Sequence, residues 1–192
     1  MKVSFLFWIA NVLPIVILIA IIEIYNDTNP PGWFWAKQGE WSKTKFVNPF
    51  WEQHVNLPVP FLKYLTWYHM VLFLLITLPY LILIQIPITS WLMSYQIFPA
   101  NVSVGWKVLS GLTLLGAIWF GISGFEDFFY FLIQSTFHWL EPHALRRVLH
   151  GDFAWFKDWI PLPFGLKLPG HWVFCPCTAI LLLYVRQRWI IG

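Results

Sequence analysis

Four stretches of this chain, at about residues 3–25, 64–86, 108–131 and 172–191, are almost wholly apolar and about twenty residues or longer. A hydrocarbon core of ~30 Å takes about 20 helical residues to cross, and every backbone polar group inside it must be bonded within its own segment. The pattern therefore predicts an all-α integral membrane protein, a bundle of about four transmembrane helices forming a single membrane-embedded domain. Composition points the same way: of 192 residues 58% are hydrophobic and 11% charged, where a soluble domain carries about a quarter charged. The first run resembles a signal peptide in position. It contains Asn11 and Pro14, however, and ends in Glu23-Ile24-Tyr25 without a small-x-small cleavage site, so a retained helix is expected. The second run is expected to bend at Pro79 and end at Pro87. The third, which extends in composition toward residue 137, holds Gly111, Gly116, Gly121 and Gly124, small residues that let helices approach in lipid.

Two long connections, 26–63 and 138–170, are rich in Trp and Pro: Trp33, Trp35, Trp41 and Trp51 in one, Trp139, Trp155, Trp159, Pro161 and Pro163 in the other. Trp favours the membrane–water boundary, so both are expected to lie on the bilayer surface or fold over it as a lid. With four spans the two connections fall on one side. Eight of the 12 Lys and Arg then lie there, leaving Lys2, Lys107, Arg186 and Arg188 on the other, which favours the large connections facing the cytoplasm. The net charge of +3 is small and dispersed, which excludes a nucleic-acid partner and leaves membrane lipid and other membrane subunits.

Against this apolar background the ionisable residues are conspicuous. Glu126 and Asp127 stand side by side near the end of the third run. Two carboxylates at that depth cost several kcal/mol unless a proton, a cation or a metal neutralises them, and they are the candidate catalytic pair. Counting helix ends places Glu23, His69 and His171 near the same face. Three carboxylates and two imidazoles on the walls of a bundle suit iron or manganese, and His with a carboxylate also suits zinc or copper. Glu23, His69, Glu126, Asp127 and His171 are therefore the candidate metal ligands, with His150 of the second long connection able to fold over them. No Glu-x-x-His pair occurs within one span.

Two short motifs resemble known families. Cys175-Pro176-Cys177 resembles the Cys-Pro-Cys within a membrane helix of copper-transporting P-type ATPases, which implies thiolates that hold a soft monovalent metal. The resemblance covers three residues, and this chain has no room for those pumps' ATP-hydrolysing domains. Gly124-Phe125-Glu126-Asp127-Phe128-Phe129-Tyr130-Phe131 is similar to the acidic pair and aromatics of carotenoid lycopene-cyclase domains. That resemblance implies an acid kept protonated in an apolar pocket and a carbocation stabilised by aromatic faces; the proline preceding the pair in those domains is missing here. Three functions follow. The first expectation is a small membrane-embedded metal-dependent enzyme acting on a lipid-soluble or interfacial substrate. The others are a non-catalytic subunit of a larger membrane complex and a metal-free isoprenoid or carotenoid-type enzyme.

Overall fold

The computed structural model describes residues 2–28, 71–92, 102–137, 143–152, 156 and 159–190. His69 and most of the 26–63 connection lie outside them. Helix α1 is Lys2–Thr28. Helix α2 covers 71–92, α3 is Val104–Phe137, α4 is Ala144–His150, and α5 is Gly170–Val185 with a π-helical continuation at Arg186–Ile190. Strands β1, Trp159–Pro161, and β2, Lys167–Pro169, form an antiparallel hairpin with Ile160 opposite Leu168. The structure is mostly helical, and three helices, Ser4–Ile24, Leu74–Leu92 and Val104–Phe137, are long and apolar enough to cross a membrane.

The chain divides into two compact units, Met1–Thr28 with Ile88–Gly192, and Asn29–Pro87. The described part of the second is most of α2. It alternates wide and ordinary turns: π at Val71–Thr77, α at Leu78–Tyr80, π at Leu81–Gln85, then α at Ile86–Leu92. Pro87 does not end this helix, contrary to the sequence expectation. A proline lacks the N–H of its turn and its ring collides with the carbonyl four residues back. A π turn before each of Pro79 and Pro87 opens the spiral and removes that collision, so the helix runs on to Leu92.

In the first unit α3 is the central helix, with α1 and α5 packed on it. Both partners present a stripe at helical spacing. On α1 it is Trp8, Val12, Ile15, Val16, Ile19 and Ala20; on α5 it is Trp172, Cys175, Ala179 and Leu183, all buried. The opposite faces are also apolar, with Leu6 and Leu18 of α1 and Phe174, Ile180 and Leu181 of α5 exposed. A helix apolar all round fits a lipid surrounding. Trp8 donates its indole N–H to the Ala117 carbonyl at 2.7 Å, while Glu23 meets Glu126, so α1 and α3 run parallel. Arg186 meets Ser110 and His171 meets Asp127, so α5 runs antiparallel to α3.

Three sequence expectations change. Helix α3 starts at Val104 rather than 108 and continues to Phe137, 34 residues in all, about 51 Å at 1.5 Å per residue. The 138–170 connection holds helix α4 and the β hairpin, because Ala144 and Val148 of α4 have an aromatic platform to bury against: Phe131, Phe156 and Trp172. Gly151, at φ 80°, stops α4 by returning its N–H to the last carbonyls. Arg186 is 0% exposed and donates to the carbonyl and hydroxyl of Ser110 at 3.2 and 3.0 Å. A side chain sealed inside the bundle does not report the charge of a membrane face, so the count used for orientation becomes eight against three.

Candidate functional site

Two glycines of α3 let the helices close up. A Cβ on Gly121 would stand 2.8 Å from both Trp8 and Val12, and one on Gly124 would stand 2.6 Å from Pro176 Cδ. Gly121 thus admits α1 and Gly124 admits α5. One turn further along α3 come Glu126 and Asp127, and the approach already made decides what they meet.

Glu126 is 7% exposed, and its carboxyl group shares a hydrogen bond with that of Glu23, near the end of α1. Asp127 points about 100° around the helix from Glu126 and meets α5 instead. Its Oδ2 lies 3.1 Å from His171 Nε2, in the first turn of that helix. The side chains of His171 and Asp127 are 31% and 41% exposed and Glu23 is half-buried, so of the four only Glu126 is buried.

The surroundings are aromatic. Phe156 stacks on the His171 ring with centroids 5.3 Å apart, and Trp172 sets its edge against Phe128 at 5.3 Å. Beside the acids, the buried Ser123 Oγ and Trp172 Nε1 have no hydrogen-bond partner among the described residues. Each buried donor left so costs about 1–3 kcal/mol, and both lie within a turn of a member of the two pairs.

Four of the six candidate ligands, Glu23, Glu126, Asp127 and His171, thus come together as two pairs that share the Glu126–Asp127 step. His150 is elsewhere. It sits at the end of α4 and lines a shallow pocket of about 310 Å³ with Ser135, His143 and Arg146. His69 lies outside the described residues. Among the described residues no three His, Cys, Asp or Glu side chains are grouped to hold a metal ion. Cys175 is buried and Cys177 exposed, both as free thiols; two positions apart on a helix they point about 200° from one another and share no site.

Sequence reasoning missed Trp172 and Phe156, whose part depends on tertiary packing, and it missed the buried Arg186. For Arg186 a signal was present: positions 172, 175, 179, 183, 186 and 190 repeat every three or four residues, and all six are buried. No protein-family model matches the chain, and no curated protein and no solved structure matches it.

Proposed function

We propose that this chain is a four-span membrane enzyme that performs acid–base chemistry on a lipid-soluble or interfacial substrate, at the end of the bundle where Glu23, Glu126, Asp127 and His171 meet. The observation that carries the reading is the convergence of three separate helices, which bring the Glu23 carboxyl group to the buried Glu126 and an Asp–His pair to the next residue. Packing alone gives no reason to place two carboxyl groups together under apolar side chains.

In this reading the Glu23–Glu126 pair holds a proton away from water and acts as the general acid. Asp127 fixes the His171 imidazole through Nε2 and leaves Nδ1 to exchange a proton with substrate. Phe156, Trp172 and Phe128 form the apolar wall against which a lipid-soluble substrate lies, and Trp172 Nε1 and Ser123 Oγ offer it two buried donors. Topology supports the site's position. Helix α1 runs parallel to α3 and α5 antiparallel to it, which puts Glu23, Glu126, Asp127 and His171 at one end of the bundle. Helix α5 with its π-helical continuation, 16 and 5 residues, is long enough for the fourth span. Centred in a bilayer, α3 places Glu126 about 8 Å from the midplane, some 7 Å inside a core edge at ~15 Å.

A transition metal is the second reading: iron, manganese, zinc or copper. What favours it is that Glu23 and Glu126 approach closely enough to share a proton, and a divalent cation can take the place of that proton. Further ligands would come from Asp127 or His171.

The test compares the lipid-soluble extracts of cells that hold equal amounts of wild-type and Glu126→Gln protein. The expected result is a species consumed or formed with the wild type alone. Identical extracts would remove the enzyme reading and leave the non-catalytic subunit, whose mark is co-purification with larger partners in mild detergent. Elemental analysis of the same purified samples decides the metal: near-stoichiometric metal that falls in Glu126→Ala supports it, and metal-free active protein removes it.

A further inference from the structure

The pocket under α4 lies apart from the acidic pairs and has the opposite chemistry. Arg146, His143 and His150 line it together with Ser135, and no carboxylate is among its described lining residues. The Ser135 hydroxyl oxygen accepts the Leu145 N–H at 2.9 Å, which leaves its own proton for another acceptor. An imidazole donates through at least one ring nitrogen in either charge state. A lysine stands close by: a Cβ on Gly151, the residue after His150, would lie 3.2 Å from Lys167 Nζ. The remaining walls are leucines, Leu145, Leu149 and Leu166.

The geometry points to a site for the phosphate of an anionic phospholipid headgroup. Arginine, imidazole and hydroxyl donors on one side recognise a phosphate, and the leucine walls accept the start of an acyl chain. This inference rests on the membrane placement proposed above. With α3 centred in the bilayer, Ser135 stands about 22 Å from the midplane, the level of the headgroups in a membrane ~40–45 Å thick. The hairpin beside the pocket supports a lipid rather than a soluble phosphate. Its turn carries Phe164, 98% exposed, at the tip of a loop that also holds Leu162 and the pocket-lining Leu166. An apolar tip of this kind has its natural surroundings in the interfacial layer.

The experiment is native mass spectrometry of the full chain released from nanodiscs of mixed phosphatidylglycerol and phosphatidylcholine. Phosphatidylglycerol adducts are expected to exceed phosphatidylcholine adducts severalfold. Arg146→Gln combined with His150→Gln, two exposed positions, should bring them level with no change in the thermal midpoint. Equal retention of the two lipids by the wild type, or an unchanged preference in the variant, would overturn the inference. Displacement of the lipid by millimolar inorganic phosphate would overturn the choice of a lipid as its source. Failure of the chain to enter nanodiscs would sink the membrane placement itself, a result distinct from loss of headgroup preference.

Discussion

The two ends of the packed bundle treat polar groups in opposite ways. At one end Arg186 is wholly buried, held by the carbonyl and hydroxyl of Ser110, while the neighbouring Gln187 accepts a hydrogen bond from Ser4 at 3.0 Å. At the other end two carboxyl groups meet beside a half-exposed Asp–His pair, with two buried donors nearby that have no partner among the described residues. The first arrangement ties α1, α3 and α5 together with neutral acceptors around one cation. The second gathers acids that repel one another when ionised and keeps a path to the surface through Asp127 and His171. Substitutions at the arginine end should therefore change stability, and those at the acidic end should change chemistry.

The largest effect is expected from Glu126→Gln. An amide keeps the size and one hydrogen bond to Glu23 but cannot deliver the proton, so the wild-type-dependent change in lipid extract should fall by about 10²–10⁴-fold, the usual worth of a positioned acid. Its thermal midpoint in detergent should hold or rise, because the carboxyl repulsion is gone. A large loss of stability with unchanged extract would reverse the contrast between the ends. Next comes Gly124→Leu. No side chain fits against Pro176, and overpacking of this kind costs about 1–3 kcal/mol, or roughly 3–10 °C in the midpoint of a chain this long. It should also separate Asp127 from His171, so that activity falls with stability. Smaller again is Ser110→Ala. Arg186 loses one acceptor and keeps the Ser110 carbonyl, a change worth about 1–2 kcal/mol for a hydrogen bond to a charged group. It should lower the midpoint and leave the extract unaltered; altered chemistry would mean that the two ends are coupled.

How much of this was legible in the chain depends on whether a feature is local. The apolar runs are local, and long uncharged segments led directly to helices α1, α2 and α3. The ends of those helices were less legible. Pro87 reads as a stop, and the wide turn that accommodates it depends on backbone hydrogen bonding that composition does not encode. The apolar composition reaches Phe137, and α3 continues to it with α4 packed on its last turns. For the site, counting spans puts Glu23, Glu126, Asp127 and His171 near one face. The division into two pairs follows from the 100° step between Glu126 and Asp127 together with the close approach at Gly121 and Gly124, and only the partner helices reveal that. Phe156 was out of reach because it arrives from a connection whose path depends on the platform it joins. Arg186 was readable from its periodicity, but as a charge it was assigned to a membrane face.

The smallest effect on stability is expected from Asp127→Asn, and it separates the two ends most sharply. The Asp127–His171 pair is partly exposed, and pairs of that kind contribute about 0–1 kcal/mol. Asparagine keeps an oxygen where Oδ2 accepts from Nε2, so the imidazole stays in place and the midpoint should move by less than that of Ser110→Ala. The negative charge beside the ring is lost, however, and with it a counter-charge for the imidazolium formed when the ring takes a proton. Lipid chemistry should therefore fall well below wild type in a protein that melts like it. Asp127→Ala should fall further, because the ring also loses its anchor. If Asp127→Asn instead melts early and still acts on lipid, the Asp–His pair is a clasp between α3 and α5, and the acidic end differs from the arginine end in charge alone.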